Sequence, residues 1–588
     1  MLLRVKYLFI SLLLLCSVNH TQTIKSIEIN GNREFSNSDI LSWGKISQGE
    51  KVFPGILDSL KSRLAVNFSD RGFFHSTFDN TEIVQLPDSG SVLLKIDIEE
   101  KEPTFLNKIE YLNLSSSDSA VIIPDFNFLK DNVFNKYDIE EAISSALKYY
   151  SDNGNPFVKI IVKNINFYSD TAEQKYNADL ELQLIKGTKS TIDEIVIRGN
   201  TKTKENVILR ELRLTEGEKF SQQTLDDIPY RLNRLGFFDP VAVPEYYFNS
   251  DGKGVLAITV KEKQTNVFDG IIGYVPGATP DESGYFTGLA NISLRNLFGT
   301  GRAAAIRWQK LDRSSQELEL KYMEPWVLGF PLNINLGLFQ RKQDSTYVQR
   351  NLNFALEYLA TETISASFTF ATESVIPSDA DTLSLTVYSS NSITTGLNFK
   401  IDTRDDPYSP TQGLLFINSY TFSRKTIDGP KKFITPGLVT NINLQRFSLE
   451  LKLFYQPFTR QIIALGLNGR ELQGSFFEQS DLFRLGGTNS LRGYREDQFL
   501  GSRVLWSNLE YRFLLTKRSF AFLFLDTGYY LRKADQSRNI PKSEGYKIGY
   551  GLGINLETGI GVIGVSFGLA KGDSFTDGKI HFGIVNQF

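Results

Sequence analysis

The sequence ends with the stretch Lys579-Ile-His-Phe-Gly-Ile-Val-Asn-Gln-Phe588. Its apolar positions, interrupted by Asn586, are Ile580, Phe582, Ile584 and Phe588. An apolar residue at every second position predicts a β-strand with one apolar face. A soluble β-sandwich shows the same period, but a last strand that closes on an aromatic residue favours the wall of a membrane barrel.

The same alternation extends upstream through the region 265–588. Ile563, Val565, Phe567 and Leu569 alternate with small residues, and helical periodicity disappears after about Asn266. At ~10 residues per membrane strand and connections of similar length, this region has room for about sixteen antiparallel strands, although composition alone does not fix the number. We therefore predict an all-β transmembrane barrel over residues 265–588.

Composition narrows the class of protein. The 588 residues carry a formal net charge of −3 and include 44 Phe, 25 Tyr and 45 Gly, but only one Cys and three His. This near-neutral balance provides no basic field for nucleic acid. With so few Cys and His residues, the chain cannot form an internal disulfide and has little material for a zinc site. Abundant aromatic residues and glycine suit β-structure.

Motifs of the common enzyme classes are missing from the sequence. A Gly-rich phosphate loop, a nucleophile elbow and a zinc-protease helix are all absent. His75 and His581 belong to different predicted domains, so a serine triad is hard to build. We expect no enzymatic activity, no cofactor and no metal site.

The N-terminus has the pattern of a secretory signal. Arg4 and Lys6 precede the apolar stretch 7–15, and polar residues follow it. Because the stretch is shorter than the ~20 residues of a membrane-spanning helix, we predict a signal peptide over residues 1–22. Cys16 raises the alternative of a lipoprotein, although the large Leu15 precedes it where such signals normally have a small residue.

An internal repeat follows the signal. Residues 24–32 recur as residues 192–200, with a weaker copy at 106–113, and the glycines at 72, 154 and 236 recur at a constant spacing. In each unit a strand precedes helical stripes and two further strands; one stripe consists of Ile139, Ile143, Leu147 and Tyr150. This order predicts three β-α-α-β-β modules, at residues 23–102, 103–188 and 189–264.

Each module would leave a strand edge of its small sheet exposed. Such an edge can pair with another strand through main-chain hydrogen bonds. Three edge-bearing modules outside the cytoplasm favour peptide capture, and inert spacers are the alternative.

The most specific motif of the barrel region is Leu485-Gly-Gly-Thr-Asn-Ser-Leu-Arg-Gly-Tyr-Arg495. It resembles the arginine-glycine-aromatic loop motif of the bacterial outer-membrane assembly factors, a superfamily of POTRA repeats and a sixteen-stranded barrel that includes BamA, TamA and two-partner secretion transporters. Weaker matches stand in the expected order, at residues 296–301, 324–326, 402–413, 524–528 and in the terminal strand.

The resemblance implies a role for the loop. The side chain of Arg492 would lie inside the barrel and meet Asp526 on the inner wall, because a buried guanidinium needs a carboxylate partner. Gly493 would allow a tight turn, and Tyr494 would wedge against the wall. The alternative is an ordinary surface turn with a solvated arginine.

The resemblance also implies a weak seam between the first and last barrel strands. We expect the first strand near residues 268–275, where Gly270 and Gly273 would weaken strand pairing. These glycines also suit ordinary turns. In the last strand, Phe582, Ile584 and Phe588 would form the signal by which such barrels are themselves recognised for assembly.

The function implied by the resemblance is insertion or translocation of outer-membrane proteins without nucleotide. Unfolded client proteins would bind the repeats in the periplasm of a diderm bacterium, and the barrel would lie among outer-membrane lipids. Three repeats and this chain length are most similar to the TamA type, which implies a TamB-like inner-membrane-anchored partner or accessory lipoproteins. Nucleic acid is not an expected partner.

Two alternatives stay open. The first is a two-partner-type secretion pore that exports one dedicated protein, although such transporters usually carry two repeats after a plug helix. The second is a passive outer-membrane channel.

Overall fold

The structure is a computed structural model that describes residues 22–87, 90–170, 175–275, 283–310, 312–344, 346–377, 387–407, 409–534, 540–558 and 561–585. Residues 1–21 of the predicted signal peptide, with Cys16, and the terminal Phe588 lie outside the described residues. The chain forms two compact units. The first runs to Asp193 and includes Gly217–Thr224; the second comprises Glu194–Glu216 and Leu225–Phe588.

The first repeat has the predicted β-α-α-β-β order. Its elements are β1 (Thr23–Asn30), α1 (Asn37–Gly44), α2 (Ile56–Asp70), β2 (Glu82–Gln85) and β3 (Ser91–Asp97). Helix α1 begins at a capping box, in which the Ser36 hydroxyl accepts a hydrogen bond from the Asp39 N–H. Helix α2 buries one face because its apolar residues recur every four positions, at Ile56, Leu60, Leu64 and Phe68. The sheet order is β1-β3-β2.

The second repeat follows the same plan with a longer edge strand. Its elements are β4 (Thr104–Leu112), α3 (Ser116–Asn127), α4 (Lys136–Asp152), β5 (Lys159–Asp170) and β6 (Lys175–Ile185), in the sheet order β4-β6-β5. The buried face of α4 consists of Ile139, Ala142, Ala146 and Tyr150. This face differs from the predicted stripe, since Ile143 and Leu147 lie at its flank.

The third repeat is built from β7 (Thr191–Ile192), β8 (Glu194–Arg198), α5 (Glu205–Leu212), β9 (Glu218–Lys219), α6 (Gln222–Leu235), β10 (Glu245–Phe248) and β11 (Gly254–Thr259). Strands β10, β11 and β8 form its main sheet in that order. Gly199 has a φ of +88°, and a Cβ there would lie 2.0 Å from the carbonyl oxygen of Val260. Gly31 makes the equivalent approach to Ile98 in the first repeat, which explains why a glycine recurs at this position of the repeat.

Sixteen strands form one continuous antiparallel sheet, as predicted. A short hairpin, β23 (Phe483–Leu485) and β24 (Phe499–Gly501), is inserted before its twelfth strand. The sixteen barrel strands, in sheet order, are β12 (Val267–Val275), β13 (Tyr285–Leu297), β14 (Arg302–Lys310), β15 (Gln316–Glu324), β16 (Leu332–Gln343), β17 (Tyr347–Leu359), β18 (Ile364–Pro377), β19 (Ser389–Asp402), β20 (Gly413–Gly429), β21 (Asn441–Phe458), β22 (Gln461–Gln473), β25 (Arg503–Leu514), β26 (Phe520–Arg532), β27 (Ser543–Thr558), β28 (Gly561–Ala570) and β29 (Lys579–Val585).

The two faces of this sheet differ in chemistry. On β25 and β26, Leu509 and Leu525 are paired across the strands and are both more than 40% exposed. Their neighbours Asn508 and Asp526 point to the opposite face, where Asp526 is fully buried. We call the face with Asp526 the lumen face and the opposite one the outer face. Apolar residues on the outer face are what a lipid-facing barrel requires. Among the described residues, no helix is long and apolar enough to cross a membrane.

Candidate functional site: the lumen loop and the strand seam

The predicted arginine motif lies in the loop 486–498 between β23 and β24, which we call the lumen loop. Leu485 and Leu491 anchor the loop in an apolar cluster with Val504 and Trp506, at the start of β25. Both leucines are fully buried. The loop therefore packs against the lumen face instead of forming a solvated turn.

The structure brings Arg492 and Asp526 together. The Nε and Nη2 atoms of Arg492 donate to the two carboxylate oxygens of Asp526, each over 2.8 Å, and the Arg492 backbone N–H donates over 3.0 Å. Arg492 is 7% exposed and Asp526 is fully buried. This bidentate geometry fixes both the position and the orientation of the loop.

Arg492 has further partners that the sequence analysis did not identify. Its Nη1 donates to Glu510 over 2.7 Å, and its guanidinium carbon lies 3.8 Å from the centre of the Phe524 ring. The side-chain amide of Asn508 donates to Asp526 and to the Ser490 carbonyl, each over 2.8 Å. Two carboxylates and a ring face thus compensate for the removal of the guanidinium from water, and the Asn508 amide binds the Asp526 carboxylate on a further side.

Gly493 allows the loop to approach the last strands of the barrel. It has a φ of +90°, and a Cβ there would lie 2.7 Å from the backbone of Leu569. Its N–H donates to Nε2 of His581 on β29 over 2.9 Å. On the wall, a Cβ at Gly549 would lie 1.9 Å from the Arg492 carbonyl oxygen. The loop and the strands therefore each have a glycine where a side chain would prevent their close contact.

Tyr494 contacts the same wall as Gly493. Its hydroxyl donates to the Ile548 carbonyl on β27 over 3.1 Å, and its ring packs edge-on against Phe499, with the ring centres 5.3 Å apart. Together, Arg492, Gly493 and Tyr494 fasten the lumen loop to β25, β26, β27, β28 and β29.

A second set of contacts ties the loop to strands on the other side of the sheet. Asp497 forms ion pairs with Arg484 over 3.3 Å and with Arg341 of β16 over 3.8 Å. Arg484 also donates to the hydroxyl of the buried Tyr347 on β17 over 3.1 Å. The lumen loop is thus held by the last five strands and, more loosely, by β16 and β17.

The weak seam is expected between the first and last strands of the sheet. Strand β12 pairs with β13, β29 pairs with β28, and no pairing between β12 and β29 occurs among the described residues. Gly270 and Gly273 lie in β12, and Phe582 and Ile584 lie in β29. Phe582 is 42% exposed. The last strand, β29, is bound directly to the lumen loop through His581. The first strand, β12, pairs with β13.

The third repeat is fastened to the turns at the other end of the barrel. Backbone carbonyls of the barrel accept hydrogen bonds from three arginines of the repeat: Arg210 binds Thr300, Arg213 binds Leu359 and Ala360, and Arg234 binds Asp402. The indole N–H of Trp326 donates to Glu211 over 2.8 Å. Burial raises the pKa of Glu211, although the guanidinium of Arg210 opposes this effect.

Glu262 organises the loop of the third repeat that touches the barrel. It accepts hydrogen bonds from the backbone N–H groups of Lys202 and Thr203 and from the Thr201 hydroxyl. Burial opposes ionisation, but these hydrogen bonds outweigh it and lower the pKa of Glu262 to about 2. This ordered loop contacts a barrel turn, where the Lys204 N–H donates to the Gly299 carbonyl over 2.9 Å.

The sequence contained only a partial signal for the missed residues. Asn508 and Glu510 occupy alternate positions of β25, so they share the lumen face. His581 interrupts an apolar series in the last strand in the same way. Alternation indicates the face, but their partners depend on the register between strands.

Comparisons with known proteins identify the family. The Omp85 superfamily domain matches residues 296–588, and the surface antigen variable number repeat, or POTRA, matches residues 22–101 and 190–263. The outer membrane protein assembly factor BamA of Nitratidesulfovibrio vulgaris is 23% identical over 95% of this chain and 72% of its own length. BamA of Neisseria meningitidis serogroup B is 30% identical, over 29% of this chain and only 21% of its own length.

One solved structure supports the fold. CdiB from Escherichia coli has a TM-score of 0.50 at 13% identity and covers 90% of this chain and 98% of its own. BamA from Haemophilus ducreyi lacking POTRA domains 1–3 has a TM-score of 0.47 at 14% identity and covers 82% and 98%. The finer resemblance to the TamA type stays a prediction. Because the family models match residues 22–101, 190–263 and 296–588, the protein belongs to the Omp85 superfamily and is located in the outer membrane.

Proposed function

We propose that this chain is a non-enzymatic factor that assembles β-barrel proteins into the outer membrane. The observation that carries the proposal is the seam, where β12 and β29 border the sixteen-stranded sheet without pairing to each other among the described residues. An unpaired strand edge in a membrane leaves backbone N–H and C=O groups unsatisfied, so it favours the addition of another strand. A client strand would satisfy these groups.

The properties of β12 support its role as the receiving edge. Its outer face is apolar, with Phe268, Ile272 and Tyr274 between 59% and 80% exposed. Gly270 and Gly273 provide no side chain to pack against a partner, so pairing at this edge is weaker than at an ordinary β-branched strand. We propose that this weakness allows a client strand to join β12 and later to leave it.

The edges of the repeats would capture the client first. The second repeat has the longest of these edges, because β5 spans 12 residues, whereas β2 and β10 span four each. Within the described ranges, strand β5 pairs with β6 alone, and Val162, Phe167 and Tyr168 on it are exposed. A client strand with alternating apolar residues would pair with such an edge through its main chain.

The remaining assignments accompany this function. We propose the repeats at residues 23–102, 103–188 and 189–264, the barrel at 265–588, and Arg492, Gly493, Tyr494 and Asp526 as the elements that hold the lumen loop. The residues Phe582, Ile584 and Phe588 would serve as the chain's own assembly signal. A TamB-like partner or accessory lipoproteins would complete the machinery.

Depletion of the protein, followed by quantitative proteomics of the outer membrane, tests the proposal. We expect several unrelated barrel proteins to fall, to be restored by the wild-type chain and not by Arg492→Ala. Arg495→Ala is the matched control, because Arg495 lies in the same loop and is exposed. The abundance of each variant in the membrane is measured in parallel, so that loss of the variant itself is recognised.

Two other results would contradict assembly. An unchanged set of barrel proteins together with the loss of one secreted protein would indicate a dedicated exporter. Altered solute entry with an unchanged proteome would indicate a passive channel.

A further inference from the structure

Two barrel turns next to the third repeat carry large apolar side chains that are mostly exposed. Phe298, in the turn between β13 and β14, is 84% exposed. Leu328 and Phe330, in the turn between β15 and β16, are 91% and 60% exposed. These turns follow one another along this end of the barrel. Apolar side chains with this exposure are costly in water unless another apolar medium covers them.

The backbone of both turns is strained. Phe298, Trp326 and Leu328 have φ values of +55°, +52° and +55°. Within the described part of the chain, they are the only apolar residues other than glycine with a positive φ. For bulky side chains this conformation is unfavourable and persists only where the surroundings impose it. The strain is therefore concentrated where the apolar side chains are presented.

The polar groups of the same turns are bound to the third repeat. The Gly299 carbonyl accepts from the Lys204 N–H over 2.9 Å, and the Asn296 amide donates to the Thr203 hydroxyl over 2.8 Å. In the other turn, the indole N–H of Trp326 donates to Glu211. With their polar side fixed in this way, the turns hold Phe298, Leu328 and Phe330 away from the repeat.

The exposed side chains continue the outer face of the barrel. Phe330 has the same alternation as Leu332, Ile334 and Leu336 of β16, and Leu336 is 46% exposed. An ion pair between Arg302 and Glu324, 2.7 Å long, and the Tyr322 hydroxyl bound to Glu324 lie at the same end of this face. Charged and aromatic groups at the end of an apolar face are typical of the boundary between lipid and water.

We propose that Phe298, Leu328 and Phe330 insert into the periplasmic leaflet of the outer membrane and form a lipid anchor beside the first barrel strands. A lipid leaflet is the occupant that these observations favour, because the side chains are purely apolar and continuous with the lipid-facing surface. The anchor goes beyond client assembly. It would fix the height of the first strands and of the third repeat at the membrane surface.

A fluorescent probe on a single cysteine tests this anchor. In the full-length chain with Cys16→Ser, Leu328→Cys is labelled with an environment-sensitive dye and reconstituted into phosphatidylethanolamine–phosphatidylglycerol vesicles. Spin-labelled lipids, with the quencher near the headgroup end of the acyl chain, should lower its emission by about twofold, as for a side chain at the headgroup–acyl boundary. Asp251→Cys, in an exposed turn of the third repeat, is the matched control and should remain unquenched.

The opposite result overturns the anchor. A probe at residue 328 that emits like the probe at residue 251, with no response to the quencher, would show that the turn faces water. A photo-crosslinker at Leu328 provides a second measurement in intact cells. Efficient transfer to phospholipid supports the anchor, whereas transfer to one protein would replace it with a protein docking site. Neither measurement depends on client assembly.

Discussion

The first and last strands of the barrel sheet, which we call its two walls, are held in place by different contacts. The last five strands are fastened from within by the lumen loop, through Arg492, Gly493 and Tyr494. The first strands are fastened at their ends by the third repeat, through the turns at Gly299 and Trp326. One wall depends on a buried charge cluster, and the other on hydrogen bonds at the rim of the barrel.

These two kinds of contact differ in strength, so the two walls should differ in mobility. Buried, paired charges are expensive to break, whereas single hydrogen bonds at a partly exposed rim contribute much less. The loop-bearing wall should therefore behave as a rigid body, and the first strands should adjust with the third repeat. In the proposed function, the seam would open between these two bodies without disruption of the charge cluster.

The largest effect is expected from the loss of the charge cluster. Arg492→Ala leaves Asp526, which is fully buried, without its cationic partner. Breaking a buried ion pair in this way costs about 3–5 kcal/mol. We expect the barrel of this variant to unfold at markedly lower urea concentration, measured by the heat-modifiable electrophoretic mobility of the purified protein.

Arg492→Lys separates charge from geometry. It retains a cation but cannot make two parallel hydrogen bonds to Asp526, so an intermediate loss is expected. Arg495→Ala should unfold like the wild type. An Arg492→Ala variant as stable as Arg495→Ala would show that the loop does not hold the last strands.

A smaller effect is expected where the loop meets the wall. Gly549→Ala places a Cβ 1.9 Å from the Arg492 carbonyl oxygen, so the loop must shift. Overpacking of this kind costs about 1–3 kcal/mol. Gly545→Ala on the same strand is the matched control, because its Cβ would come no closer than 3.4 Å to another group. Urea unfolding should distinguish the two variants, and equal midpoints would contradict the close fit of loop and wall.

The sequence predicted those features that depend on local periodicity. Alternating residues indicated the strands, recurring segments and evenly spaced glycines indicated the repeats, and β12 begins within one residue of the predicted start. The prediction of the buried face of α4 was less accurate, because this face includes the small residues Ala142 and Ala146 where the helix approaches the sheet. Helical periodicity alone favours the larger neighbours Ile143 and Leu147.

Contacts between distant strands were less accessible. The pairing of Arg492 with Asp526 was expected only from the family resemblance, and Glu510 and His581 were not expected as partners at all. Their positions depend on the register of β25 and β29, which a single sequence does not specify. For residues 402–413, the sequence provided a weak match to the family and no side-chain partners. In the structure, Asp402 is 4% exposed and bound by Arg404 and Arg234.

The smallest effect is expected at the attachment of the third repeat. Arg234 donates to the Asp402 carbonyl over 2.8 Å, but the carboxylate of Asp402 keeps both hydrogen bonds from Arg404 when Arg234 is removed. Arg234→Ala should therefore cost only about 1 kcal/mol. The free energy is lost where the repeat meets the barrel, so amide hydrogen exchange in α5 should accelerate by about fivefold, while exchange in β26 stays unchanged. Arg198→Ala, an exposed arginine of the same repeat, should alter neither. Faster exchange in β26 would mean that the two walls are coupled, and the distinction between a rigid, loop-bearing wall and an adjustable first wall would then fail.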